Sequence, residues 1–276
     1  MTGTGSTAPA GTAAGGVRRR EAETVLITGA SSGIGRELAG LFAADGARLV
    51  LVARTEDKLR QLAAELAARY GAETQVVPAD LARPASPGDI VKALAQRDID
   101  VDVLVNNAGF GARGSIADLG AQRQLEMIEV NVAALTRLTA LLLPGMLERH
   151  RGAILNVAST AGFQPGPNQA VYGATKAYVL SFTEALAEEV RGSGVRVCCL
   201  APGATDTGFA SRADMAGTRL FRRGVMDAAR VAQAGHDGLR RGKALVIPGI
   251  RNRVLAFAVR LSPRALVTKI ATYLQA

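Results

Sequence analysis

The sequence predicts an α/β fold: one doubly wound parallel sheet of about seven strands, with helices on both faces. Three observations carry this expectation. Short apolar runs of strand length alternate with longer runs of helical spacing from about residue 23 to 249. The apolar runs are nearly continuous, as strands covered on both faces are. The first run ends in a glycine-rich turn that opens the first helical pattern.

The elements follow in order. Residues 24–30, TVLITGA, read as a buried strand. Residues 32–46 follow as a helix, with Ile34, Leu38, Leu41 and Phe42 on one face and Gly46 as its stop. A second strand covers 47–54. A second helix covers 55–71, between Thr55 as N-cap and Gly71. Strands are expected at 74–80, 102–109, 152–159, 194–203 and 244–249. Helices are expected at 86–97, about 121–150, 168–192 and 227–241. Right-handed crossovers between parallel strands give the doubly wound arrangement.

The ends and one internal segment stand apart. Residues 1–22 are a Gly/Ala/Thr/Ser-rich tail with RRR at 18–20, expected to be disordered. The tail lacks the basic start and apolar centre of a secretory signal, so a cytoplasmic protein is expected. Residues 204–226 are irregular. Residues 250–276 form an amphipathic, basic stretch.

Bulk properties narrow the function classes. A chain of 276 residues with 48% hydrophobic content buries enough surface to fold without disulfides or metals. Cys198 and Cys199 are neighbours in a strand, point to opposite faces and are not expected to pair. No metal site is expected. The net charge of +9 could attract nucleic acid, anionic membrane or an acidic carrier protein. No basic run is interleaved with aromatics as single-strand binding requires, so no nucleic-acid partner is expected. No run of ~18 consecutive apolar residues is present.

The turn Thr28, Gly29, Ala30, Ser31, Ser32, Gly33, Ile34, Gly35 sits where a dinucleotide pyrophosphate belongs, between strand and helix. Gly29 permits the tight turn. Gly33 lets backbone approach a phosphate, and Gly35 lets helix pack close on sheet. A carboxylate at the tip of strand two would select NAD. Here the tip is Ala53-Arg54, with Lys58 one helical turn on, and this points to NADP. Glu56 and Asp57 follow closely and soften that preference.

The helix AVYGATKAYVLSFTEALAEEV opens with Tyr172 and Lys176, four apart and on one face. A nearby ammonium stabilises phenolate, so such a tyrosine can serve as acid and base. The spacing alone is a common chance match. Its context is not: the preceding strand ends at Ser159, at the carboxyl edge where doubly wound sheets bind ligands. Ser159 could bond a substrate carbonyl oxygen that Tyr172 protonates. Asn131 lies inside a helical run between Val130 and Val132, a costly place for an amide unless it is used. It could hold a water that connects Lys176 to solvent.

Together these residues resemble the short-chain dehydrogenase/reductase family, a Rossmann-type family, over nearly the whole span 23–249. The resemblance rests on Thr28–Gly35, Asp80-Leu81, NNAG at 106–109, Asn131, Ser159, Tyr172 with Lys176, and Pro202-Gly203 followed by Thr207. It implies that Asp80 bonds the adenine amino group beside the Leu81 backbone. It implies that Asn107, Ala108 and Gly109 flank the adenosine ribose. Tyr172 and Lys176 would also hold the nicotinamide ribose. Pro202, Gly203, Thr205 and Thr207 would anchor the carboxamide. Ser159 would polarise the carbonyl, Tyr172 would be the acid–base, Lys176 would lower its pKa and Asn131 would complete the relay. NNAGFG, NVASTAGFQPGP and VIPGIRNRVLAF further resemble the bacterial, NADP-preferring subgroup named after the DltE protein.

The expected activity is an NADP-dependent oxidoreductase that interconverts a carbonyl and a secondary alcohol. Its pocket is expected between 109–120, 160–169 and a lid at about 204–226. Phe110, Phe163, Phe209 and Phe221 suggest an apolar small-molecule substrate. A reductase of carrier- or CoA-linked 3-oxoacyl groups is one alternative. A non-catalytic nucleotide-binding regulator is another. A homodimer or homotetramer is expected. For 250–276, packing or a subunit contact is preferred over a membrane-surface helix, and Pro263 divides it.

Overall fold

Seven strands pair in one parallel sheet in the order β3–β2–β1–β4–β5–β6–β9. They are β1 (Thr24–Thr28), β2 (Arg48–Ala53), β3 (Thr74–Pro78), β4 (Val103–Asn106), β5 (Gly152–Val157), β6 (Val195–Leu200) and β9 (Leu245–Val246). The computed structural model describes residues 22–208, 213, 218 and 225–275. The helices are α1 (Gly33–Ala44), α2 (Glu56–Tyr70), α3 (Ser86–Ala95), α4 (Ala121–Ile128), α5 (Leu135–Glu148), α6 (Ala170–Glu189), α7 (Ala228–Arg240), α8 (Ile250–Leu261) and α9 (Arg264–Gln275). A two-strand parallel pair, β7 (Thr205–Asp206) with β8 (Met226–Asp227), closes the ends of the irregular segment.

Each expected element forms, with small differences at its ends. Gly71 ends α2 in the left-handed conformation, φ 65°, as expected, but Thr55 makes no side-chain cap bond. The last strand is only two residues long, because just Cys199 and Leu200 of β6 face it. The span expected as one helix from 121 is continuous to Glu148, but residues Glu129–Ala134 are wound as a π-helix. Most of the expected lid, with Phe209 and Phe221, lies outside the described residues, as does the tail through residue 21.

The core explains the uninterrupted apolar strands. Val25 and Ile27 face one layer with Leu38, Phe42 and Leu59; Leu26 faces the other with Ile90, Leu104 and Leu138. A sheet covered on both faces has no polar side, so each strand reads as a continuous hydrophobic run. Cys198 and Cys199 fall on opposite faces, as expected, and burial pushes both thiols up to about 12. The run Ala121–Glu148 is long and apolar enough by length and composition to cross a bilayer. Its buried Met127, Asn131, Leu138 and Met146 instead face the protein interior.

Chain order reverses between β1 and its neighbours β2 and β4. Loops leaving the carboxyl ends of β1 and β4 therefore run to opposite sides and open a crevice, the usual ligand position in such sheets.

Candidate active site

The turn after β1 is held open by close backbone approach. Gly29 and Gly33 have φ of +66° and +55°, where a side chain is strained. A Cβ on Gly29 would lie 2.8 Å from Asn107 Nδ2, and one on Gly35 would lie 2.5 Å from Gly29 O. Asn107 fastens this turn: its Nδ2 donates to Thr28 O at 2.9 Å and Gly29 O at 3.3 Å. The Thr28 hydroxyl donates to Val105 O and accepts from the N–H groups of Asn107 and Ala108, each at 3.0 Å. Asn107 is thus a clamp on the phosphate-type turn, a role the NNAG resemblance did not assign it. Ser31 and Ser32 are half-buried beside the start of α1, and the Ser32 side chain makes no cap bond to the helix. Ile34 is partly buried against the core.

A cleft of about 400 Å³ lies at the tips of β2 and β3, lined by Arg54, Val77, Asp80, Arg83 and Ser86 among others. Asp80 Oδ1 accepts from Ala82 N at 3.1 Å, and the Ser86 hydroxyl bonds Asp80 O at 2.7 Å, which fixes this wall. Leu81 is buried in the core beneath. Arg83 brings a second guanidinium that sequence reasoning missed; its signal is the basic residue three past Asp80. Lys58 is exposed and is not among the lining residues. Glu56, which could have neutralised Arg54, accepts instead from Arg60 Nε at 3.0 Å and Nη2 at 2.5 Å.

At the other end of the crevice, β5 delivers Ser159 and α6 delivers Tyr172 and Lys176. Ser159 Oγ accepts from Ala161 N at 3.1 Å and also hydrogen-bonds the Tyr172 phenol. Tyr172 is 7% and Lys176 5% exposed. Burial pushes the phenol up to about 12, with the Ser159 bond opposing it. Burial lowers the Lys176 ammonium to about 8. Lys176 Nζ donates to Val157 O at 2.8 Å and sits 5.9 Å from the Tyr172 ring centroid. The expectation that Lys176 pulls the phenol pKa down is therefore corrected for this geometry. Desolvation dominates, and the lysine is held on backbone rather than on the phenol oxygen.

Asn131 sits in the π-helical segment with both of its amide donors and its oxygen engaged. Its Oδ1 accepts from Phe110 N, and its Nδ2 donates to Phe110 O and to Thr175 Oγ1, all at 3.0 Å. These bonds brace the loop after β4. Thr175, unrecognised in the sequence, ties Asn131 to the Tyr172 backbone through a 2.8 Å bond to Tyr172 O. Gly109 lies between these groups: a Cβ there would be 3.1 Å from Asn131 Oδ1 and 3.3 Å from Lys176 Nζ. Tyr172 also packs with Ala112 and Met127, with Phe110, Leu119 and Val171 around them, an apolar wall beside the hydroxyls.

The loop after β6 closes the site. Pro202 O accepts from Thr160 N at 2.8 Å, and Gly203 O accepts from the buried Thr205 hydroxyl at 3.0 Å. Thr207 presses on the glycine turn, 2.7 Å from where a Gly33 Cβ would be. Asn252 of α8 covers Gly203, leaving no room for a side chain there. The site thus joins a backbone cradle suited to a phosphate, a cleft with guanidinium groups and a buried pair of hydroxyls. These features fit a dinucleotide.

Such a sheet with this crevice defines a nucleotide-binding class of fold. The family described as short chain dehydrogenase matches residues 23–216. An uncharacterized oxidoreductase of Staphylococcus epidermidis is 34% identical over 212 residues, 77% of this chain and 88% of that one. A very-long-chain 3-oxoacyl-CoA reductase of Phaeosphaeria nodorum is 40% identical over 180 residues, 63% of this chain but 52% of that longer protein. Among solved structures, a short-chain dehydrogenase from Sphingobium yanoikuyae in complex with NADPH is 37% identical with TM-score 0.78, covering 86% of this chain and 94% of that one. A bulky-bulky ketone specific alcohol dehydrogenase from Comamonas testosteroni is 32% identical with TM-score 0.74, covering 86% and 92%. A family member from Burkholderia phymatum in complex with NAD is 28% identical with TM-score 0.77, covering 87% and 92%. The chain belongs to the short-chain dehydrogenase/reductase family. It is an oxidoreductase acting on CH–OH groups of small molecules with a nicotinamide dinucleotide.

Proposed function

We propose that the protein is an NADPH-dependent reductase of an apolar ketone. The observation that carries this is the meeting of the Ser159 and Tyr172 hydroxyls in a buried, apolar-walled site on a crevice whose far end presents Arg54. The nicotinamide cofactor supplies the hydride. The protein residues do the rest. The glycine turn 29–35 receives the pyrophosphate on backbone N–H groups. Arg54, with Arg83 near it, reads the 2′-phosphate through forked hydrogen bonds, a contact for which NAD offers no partner. Asp80 and Ala108 line the adenosine half, Gly109 lies beside Lys176, and Thr205 with Thr207 brace the nicotinamide end.

Ser159 donates to the substrate carbonyl oxygen and polarises it. Tyr172 gives its proton to that oxygen as negative charge develops there. A phenol held up to about 12 is fully protonated at neutral pH and suits this direction. Lys176, held on Val157 O, would bond the nicotinamide ribose hydroxyls and so set the cofactor beside Tyr172. Asn131 keeps the Phe110 loop in place beside them. The Phe110 and Val171 wall, backed by the buried Met127, selects an apolar body next to the carbonyl.

The Phaeosphaeria relative favours a second reading, reduction of a CoA-linked 3-oxoacyl chain, which the same hydroxyl pair would serve. A panel of bulky aliphatic, aromatic and 3-oxoacyl-CoA ketones, followed by loss of NADPH absorbance, separates the two. Turnover of the free bulky ketones in preference to the thioesters supports the proposal. Turnover of thioesters alone replaces it with the second reading. Exposed Leu125, Ile128 and Leu141 on α4–α5 and Tyr178 on α6 support a homo-oligomer through these helices.

A further inference from the structure

The last two helices turn apolar residues outward. On α8, Ile250, Val254, Phe257 and Leu261 fall at i, i+4, i+7 and i+11, which is a single stripe. Their exposures are 78%, 60%, 63% and 74%, whereas Ala256 on another face is buried at 6%. On α9, Leu266, Ile270 and Tyr273 repeat the i, i+4, i+7 pattern at 50–55% exposure, with Val267 and Ala271 buried. Among the described residues, Ala256, Val267 and Ala271 seat the two helices on the protein, while Ile250, Val254, Phe257, Leu261, Leu266 and Ile270 are exposed.

Charge flanks these stripes. Arg253 and Arg260 border the α8 stripe on one side and Arg251 borders it on the other. Arg264 and Lys269 belong to α9. No Asp or Glu occurs after Asp237, while eight Arg or Lys residues do, nearly the whole formal net charge of +9. An apolar stripe bordered by cations and lacking acids matches an anionic lipid surface, where stripe residues enter the acyl boundary and cations meet headgroups. A second copy docked by its own identical face would oppose five cations to the same five. Nucleic acid would leave the aliphatic stripe in water. We propose that α8 and α9 dock the protein on anionic membrane surfaces.

The same helix touches the site. Asn252 packs over Gly203 and donates to Pro248 O at 2.8 Å, and α8 contacts the turn Thr160–Phe163 that follows Ser159. Docking would hold this side of the crevice about one helix diameter, ~10 Å, from the lipid surface. The docking itself stands independently of the reductase reading.

Co-sedimentation of the full-length protein with sucrose-loaded vesicles tests it. Vesicles of phosphatidylcholine with about one-third phosphatidylserine are expected to bind at least ~10-fold tighter than pure phosphatidylcholine, and binding should weaken as salt shortens the screening length. Two variants, Phe257→Asp with Leu261→Asp, and Arg253→Glu with Arg260→Glu, are each expected to lose ~10-fold of that binding with an unchanged melting temperature. Equal binding to both vesicle types, no binding by the wild type, or full binding by both variants overturns the proposal. A fall in oligomeric mass for the Phe257→Asp/Leu261→Asp variant, with no wild-type vesicle binding, overturns it in favour of a subunit contact.

Discussion

The first turns of α6 and the helices α8–α9 invert the usual rule in opposite ways. α6 buries a lysine and a tyrosine; α8 and α9 expose isoleucine, phenylalanine and leucine. Ordinary folding energetics favours neither arrangement. A buried ammonium loses hydration, and an exposed aliphatic side chain gains nothing. The two inversions differ in how they are compensated. Lys176 is compensated locally, by a 2.8 Å bond to Val157 O and a braced shell of Asn131, Thr175 and Ser159. The α8 stripe has no such local compensation among the described residues, and its partner must come from outside.

The comparison can be broken most severely at Lys176. Lys176→Met should lower turnover by roughly 10²–10⁴-fold, the range of a general acid–base device. The same change should stabilise the fold. The native ammonium is depressed to about 8 from 10.5, so below pH 8 it costs about 3 kcal/mol. Losing the bond to Val157 O gives back about 1–2 kcal/mol. The net gain of about 1–2 kcal/mol should shrink and then reverse to a loss of about 1–2 kcal/mol as pH rises from about 8 to 10.5, where the unfolded lysine alone still binds its proton. Denaturant titrations of both proteins at pH 7 and pH 10 measure it; a gain that grows with pH contradicts the burial argument.

Ser159→Ala sharpens the same site. It removes one donor to the developing oxyanion and should cost about 10²–10³-fold in kcat. It also removes the bond that opposes the rise of the phenol pKa, so the Tyr172 titration should move further upward. Spectrophotometric titration of the phenol checks that direction. The smallest expected effect lies at the far end of the crevice. Arg54→Ala should weaken NADPH by about 10-fold while leaving NADH nearly unchanged, a loss of one charge-assisted contact. An unchanged ratio of the two affinities would assign the 2′-phosphate contact elsewhere, with Arg83 the next residue to test.

Much of this was legible in the sequence, for identifiable reasons. Strands buried on both faces leave uninterrupted apolar runs, so β1, β2 and β4 to β6 are recognised within two or three residues of their ends. Gly29, Gly33 and Gly35 announce a backbone that must pass close to something, and the structure shows Asn107 and Thr207 there. The π-helical turn at Glu129–Ala134 was hidden, because its side-chain pattern departs from an α-helix by only one residue. Asn131 was noticed as a misplaced amide, yet its partners Phe110 and Thr175 are distant in sequence and carry no local signal. Asn252 was missed for the same reason: its use depends on Gly203, 49 positions away. Lys176 was seen, but desolvation is a property of surroundings that spacing cannot reveal.

The account turns on Tyr172 as the proton donor, and Tyr172→Phe tests it most directly. The variant keeps the ring and its packing on Ala112 and Met127 but lacks the hydroxyl. Fluorescence titration should show NADPH affinity within about 3-fold of wild type, while turnover of the best ketone falls by roughly 10²–10⁴-fold. Retained turnover in a variant that binds NADPH normally would contradict the assignment of the proton to Tyr172.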